Sequence, residues 1–310
     1  MKPIDVTVIG ELNVDLLLNK LNQLPENGKE VLASQMELCL GSSSAIFATN
    51  LSALGTSVQF MGKLGDDLFG QFLLRCLANR NVDTDSILID PQAATGATVI
   101  LNHEQDRAMI THQGAMTGFG IQDINWPALF NSRHLHISSI FLQPALKKEL
   151  VNIFQKAKEA GLTTSLDTQW DPSEQWELPL AQLLPLVDVF LPNEKELCLL
   201  TGETSLTKAI ALLEPSINIL VVKMGEKGSL LVSEQKQRLL SVKKSTSFID
   251  AIGAGDSFNA GFIHQWIRGE SLEHCQEFGN ACGAFSTTAA GGINAFNNPQ
   301  KLYADASAIA

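Results

Sequence analysis

Leu135-His-Ile-Ser-Ser-Ile140, Ala145-Leu-Lys-Lys-Glu-Leu-Val-Asn-Ile-Phe-Gln-Lys-Ala-Lys-Glu-Ala160 and Thr163-Thr-Ser-Leu-Asp167 follow one another as a strand-length run, an amphipathic run and a second strand-length run. In the middle run Leu146, Leu150, Ile153, Phe154 and Ala157 recur at helical spacing, and Gly161 supplies a C-terminal stop. The flanking runs read as short buried strands. The same alternation spreads in both directions, with strands expected at Val6–Ile9, Val58–Gly62, Val187–Leu191 and Ile219–Met224. Strands that alternate with helices in this way predict an α/β fold, a mostly parallel sheet with helices on both faces.

Leu16–Leu40 and Thr95–His112 break the rhythm. Both have period-two texture and turn residues: Asn27-Gly28 in the first, and His103–Asp106 between Thr98–Leu101 and Arg107–Thr111 in the second. The two insertions, 11–40 and 95–113, are expected to make one small antiparallel sheet that stands off the main sheet as a β lid over a cleft, within a single domain spanning 1–310.

The composition, 45% hydrophobic and 18% charged, is that of a globular chain and excludes disorder and coiled coil. A net charge of −11 argues against a nucleic-acid partner, which needs basic patches against phosphate. Any phosphate ligand must then be held locally, by backbone N–H groups, a metal and a few cations. Cys39, Cys76, Cys198, Cys275 and Cys282 are odd in number and form no C-x-x-C pair, which points to reduced thiols rather than disulfides or a zinc site. MKPIDVTVIG becomes strand at once without an apolar signal core, and no apolar run is long enough to span a membrane. The expected setting is cytoplasmic, with no membrane partner.

Chemistry concentrates in Asp250-Ala-Ile-Gly253-Ala254-Gly255-Asp256-Ser-Phe-Asn-Ala-Gly261, which precedes and opens a helix carrying Phe258, Phe262 and Trp266 and stopped by Gly269. Small residues before a helix leave first-turn N–H groups unobstructed, and the helix dipole adds positive potential, so an anion can sit there. Asp256 lies in the first turn, where its carboxylate can take a proton from a hydroxyl or simply complement the dipole. Other phosphate and nucleophile motifs fail: Gly28-Lys29 and Gly62-Lys63 are followed by Glu and Leu rather than Ser or Thr, Gly10 does not open G-x-G-x-x-G, and Gly41-Ser-Ser-Ser-Ala lacks the closing glycine of a nucleophile elbow.

Pro192-Asn193-Glu194-Lys195-Glu196 fits a helix capping box and, equally, a pair of ligands for hydrated Mg2+. Val222-Lys223-Met224-Gly225-Glu226-Lys227-Gly228-Ser229 reads as a hairpin turn or as a nucleotide-lining loop. Asn13 and Asp15, two apart where strand one runs out through Gly10, suit paired hydrogen bonds to vicinal hydroxyls. His134 and His136 share one strand face, where core packing is favoured over metal binding.

Taken together, these elements resemble the ribokinase-like (pfkB-type) carbohydrate kinases from about residue 4 to residue 300. The resemblance rests on Asp250-x-x-Gly-Ala-Gly-Asp256, on Asn193-x-x-Glu196 and on Gly62-x-x-Gly65-x-Asp67-x-x-Gly70. It implies a three-layer α/β core with a β lid, transfer of phosphoryl from ATP to a sugar-like substrate, Asp256 as base, and the backbone of Gly253, Ala254 and Gly255 as anion hole. On the sugar side it implies Asn13, Asp15, Gly41, Ser42, Ser43, Ile46 and Arg107; on the nucleotide side Asn193, Glu196 (Mg2+ through water), Lys223, Gly225, Gly228 and Asn280. It further implies a K+ loop at Asp250, Ile252, Ala289 and Gly291, and a homodimer through the lid. This chain departs from the family in having Ser42 in place of the second glycine of Gly-Gly, Ile46 at a substrate-binding asparagine, and Lys223 where threonine is common. A sugar or sugar-acid kinase acting on a primary hydroxyl is the expected function. A nucleoside kinase and a non-catalytic ligand-binding protein on the same scaffold are the alternatives.

Overall fold

The computed structural model describes residues 4–103, 106–242 and 248–302. The strands are β1 (Ile4–Ile9), β2 (Asn13–Leu21), β3 (Ala33–Leu40), β4 (Val58–Gly65), β5 (Ile87–Asp90), β6 (Gly96–His103), β7 (Asp106–His112), β8 (Ser132–Ser138), β9 (Thr163–Asp167), β10 (Val189–Phe190), β11 (Ile219–Lys223), β12 (Ser229–Ser233) and β13 (Lys236–Leu240). Nine of them form one sheet in the order β13-β12-β11-β10-β9-β8-β1-β4-β5. It is parallel from β11 to β5, and β12 and β13 close one edge as an antiparallel hairpin. Apolar residues cover both faces, as a parallel sheet requires. Helices Leu150–Glu159, Glu194–Thr201 and Leu206–Leu213 pack on one side, and helices Ser43–Ala53, Leu68–Ala78 and Ala254–Trp266 on the other. The fold is thus the three-layer α/β arrangement expected.

Several boundaries move. The strand expected at Leu135–Ile140 starts at Ser132 and ends at Ser138, and that expected at Val187–Leu191 shrinks to β10. The helix expected at Ala145–Ala160 is two segments, Pro144–Lys147 and Leu150–Glu159. Leu146 and Leu150 are nevertheless both fully buried, so one apolar stripe docks both pieces. Among the described residues, no helix is long and apolar enough to cross a membrane.

The remaining strands make a second sheet, β3-β2-β6-β7. The expected small antiparallel sheet is built of two antiparallel hairpins, β2–β3 and β6–β7, which β2 and β6 join in parallel. Each insertion leaves the core and returns as one hairpin, and the two hairpins meet through strands that run the same way. Residues 104 and 105 of the expected His103–Asp106 turn lie outside the described residues, as does the side chain of Arg107. Asn13 and Asp15 do not end strand one. After Gly10 the chain leaves the main sheet, and they open β2 of the second sheet.

Candidate functional site

Parallel strands bring their carboxyl ends to one edge of the sheet, and there the chemistry gathers. Asp167 ends β9 and is fully buried. Its Oδ2 accepts hydrogen bonds from Lys223 Nζ (2.6 Å), Gln169 Nε2 (2.9 Å) and Asn259 Nδ2 (2.5 Å). The same Gln169 amide donates to Asp256 Oδ1 at 3.0 Å. Gln169 holds φ +58°, a left-handed conformation that a non-glycine residue keeps only where its surroundings enforce it.

Asp256 stands in the first turn of helix Ala254–Trp266, capped by Gly253 at φ +72°. Alanine there would be strained by that φ and would press its Cβ to 2.6 Å from Gly292 Cα. The Ala254 N–H is used by Ala251 O, which leaves those of Gly255 and Asp256 with no acceptor inside the helix. Burial, then the neighbouring Asp167 carboxylate, push the Asp256 carboxyl well above its ordinary range; Lys223 and a hydrogen bond from Ser43 oppose them.

Asn193 and Glu196 form the full capping box: Asn193 Oδ1 accepts from Glu196 N, and Glu196 Oε2 from Asn193 N, at 2.8 and 2.9 Å. Burial and then the Asp167 charge lift the Glu196 carboxyl to about 7. Asn193 also bridges to Lys223, so capping helix and β11 are adjacent. Gly225 and Gly228 shape the following loop, and Gly228 lies against Leu240 O, the carbonyl that accepts from Asn280 Nδ2 at 3.3 Å.

Asn13, Asp15 and Gly41 converge at the root of the small sheet. Asn13 Nδ2 donates to Asp15 Oδ1 (2.9 Å) and Thr98 Oγ1 (3.1 Å), and a Cβ on Gly41 would overlap the Asp15 carboxylate. Burial chiefly, helped by the Glu11 charge and opposed by the Asn13 hydrogen bond, raises Asp15 to about 7. A carboxyl whose folded pKa is raised costs nothing below its unfolded value and destabilises as pH rises through the folded one. Asp15→Asn is therefore expected to raise stability by ~2–4 kcal/mol at pH 8, with the gain vanishing near pH 4. Denaturation at both pH values checks this; a loss at pH 8 contradicts it.

Ser42 caps helix Ser43–Ala53 with φ +74°, a conformation that glycine adopts more readily than serine. Ile46 is 3% exposed and packs against Gly253 and Gly292. It thus makes a supporting contact beneath the Gly253 turn. In the candidate cation loop, Asp250 accepts from the N–H groups of Ile252 and Gly291, both at 3.0 Å; Ala289 makes no comparable contact with Asp250 among the described residues. His134 and His136 share Ser165 Oγ at 2.7 Å, and burial holds both neutral, His134 with its pKa at about 3, as packing residues.

Asp167, Gln169 and Asn259 escaped the sequence reading as site residues. Asp167 did end an expected strand, the one signal that marked it.

Residues 3–300 match the model of the pfkB family carbohydrate kinases. The chain is 26% identical to the fructokinase of Vibrio alginolyticus, covering 96% of this chain and 97% of that protein. It is 27% identical to the deoxyribokinase of Salmonella typhi, covering 93% and 94%. The structure of Arabidopsis thaliana ribokinase complexed with ribose and ATP superposes with a TM-score of 0.86 at 25% identity, covering 97% and 99%.

Proposed function

Since the chain belongs to the pfkB family of carbohydrate kinases, and so is a kinase of sugars or nucleosides, we propose that it moves the γ-phosphoryl group of ATP onto a primary hydroxyl of a small sugar or sugar acid. One observation carries this reading. Asp256, the first-turn N–H groups of Gly255 and Asp256 and the Lys223 ammonium converge at the sheet edge, and Ser43, which opens its helix two residues past Gly41 and the Asp15 carboxylate, lies near Asp256.

In this reading Asn13 and Asp15 hold adjacent sugar hydroxyls, and the small sheet covers them as a lid of the single domain. Asp256, steadied by Gln169, removes the proton of the attacking hydroxyl. The Gly253–Gly255 turn receives the charge that develops on the transferring group. Phosphoryl transfer asks mainly for positioning and charge stabilisation, so this sparse set suffices. Gly225, Gly228 and Asn280 line the nucleotide, and Asp250, Ile252 and Gly291 organise a loop suited to K+.

The residues fit a hydrated Mg2+: Asp167 Oδ1 is buried without a hydrogen-bond partner, and Glu196 lies close enough for the two charges to raise its pKa. Such an ion would neutralise charge between the β- and γ-phosphates. Glu196→Gln is expected to raise the Mg2+ concentration for half-maximal activity more than it changes the sugar KM. Glutamine still completes a capping box, so stability should fall by less than ~1 kcal/mol. An unchanged Mg2+ titration would leave Glu196 as a cap alone.

A second copy covering Met36, Leu38 and Ile110, exposed on one face of the small sheet, is the dimer we favour. Product formation from ATP across a panel of sugars, sugar acids and nucleosides tests the whole reading. Turnover of nucleosides alone would shift it to a nucleoside kinase, and no turnover would favour a ligand-binding role.

A further inference from the structure

The Lys223 side chain is only 10% exposed, and its ammonium carries three N–H donors. Among the described residues, its one hydrogen bond goes to Asp167 Oδ2. Two donors therefore stand without acceptors in a nearly closed site. The lysine stem lies along the first turn of helix Ala254–Trp266: a Cβ on Gly255 would stand 3.6 Å from Lys223 Cδ and Nζ alike. The unspent donors thus sit beside the N–H groups of Gly255 and Asp256, which, among the described residues, also lack acceptors.

The charge balance points the same way. Asp167, Glu196 and Asp256 all act electrostatically on Lys223, so three carboxylates face the place where a polyphosphate must enter. A lysine is a compact charge whose donors can serve several acceptors at once, so it can keep Asp167 and take a second oxygen. Held by Asp167 beforehand, it needs no reorganisation when that oxygen arrives.

We propose that Lys223 donates directly to the γ-phosphoryl group during transfer, so that this chain carries a fixed cation at the reacting centre in addition to its backbone anion hole. The inference rests on the kinase reading above. The sugar oxygen forms its bond to the γ-phosphorus as the bond to the β-phosphate oxygen breaks, the hydroxyl proton goes to Asp256, and ADP leaves with the bond electrons. Lys223 keeps its proton throughout.

The test is the affinity of the protein for MgATP and for MgADP, each measured by calorimetry without sugar, together with kcat on whichever acceptor the panel identifies. Lys223→Met keeps the length of the side chain and removes its charge. It is expected to weaken ATP binding about 10–100-fold while ADP binding changes little, and to lower kcat about 10²–10³-fold. A lysine that served only as counter-ion to Asp167 would instead weaken both nucleotides alike or lower the melting temperature with the ATP to ADP ratio intact, and either result overturns the proposal. Lys223→Gln retains a donor for Asp167 and stands in if the methionine variant does not fold; the same loss of ratio is expected, and a preserved ratio overturns the proposal. If the unmodified protein binds no ATP and phosphorylates no acceptor, the kinase reading falls, and this inference with it.

Discussion

Asp256→Asn lowers kcat by about 10²–10⁴-fold and leaves the fold and ATP binding in place. Asparagine keeps the shape and can still accept from Gln169 Nε2, so the neighbourhood of Asp167 and Lys223 need not rearrange. What it lacks is basicity: it cannot take the proton of the attacking hydroxyl. The side chain is buried and its carboxyl is pushed toward the neutral form, so a neutral amide should melt at the same temperature or higher. Loss of turnover with unimpaired stability is the combination expected of a base. Near-normal kcat would remove Asp256 from that role, whereas a large drop in melting temperature would make it a structural residue.

Gly253→Ala is the second large effect. At φ +72° a non-glycine residue costs ~1–2 kcal/mol, and overpacking against the Gly292 backbone and Ile46 adds ~1–3 kcal/mol, so stability should fall by roughly 2–5 kcal/mol. Turnover should fall with it, because the turn that aims the Gly255 and Asp256 N–H groups moves. Gly255→Ala is the contrast: its Cβ meets the Lys223 side chain, stem and ammonium both at an ordinary 3.6 Å. Within a helix that change gains up to ~1 kcal/mol. A protein that folds better and turns over worse at 255, and folds worse at 253, would identify the turn as a phosphate cradle. Equal tolerance at both positions would mean that the cradle lies elsewhere.

How much of this was legible in the sequence follows from what each feature depends on. Buried strands such as Ile219–Lys223 stand out because both faces are covered and the apolar run Ile219–Val222 is unbroken. β5 did not, since Leu88 and Ile89 point outward and leave only a short mixed segment. The Gly-Ala-Gly-Asp turn and the capping box are local, so spacing alone displayed them. The network around Asp167 draws on β9, β11 and helix Ala254–Trp266, and these meet only through the order of strands in the sheet. A lysine after an apolar strand does not announce that a carboxylate waits two strands away. Ile46 shows the same limit: its neighbour, the Gly253 turn, belongs to the other end of the chain.

The parallel pairing of β2 with β6 fixes an order of assembly. Each hairpin can close on its own, but Asn13↔Gly96 through Leu18↔Leu101 join segments between which β4, helix Leu68–Ala78 and β5 are threaded. Loop closure over that span costs entropy that only a formed core can offset. The small sheet therefore completes late, on a scaffold that already exists. It cannot be excised as a unit either: removing it takes out two separate segments, after which β1 has to be rejoined to helix Ser43–Ala53 and β5 to the chain that follows β7.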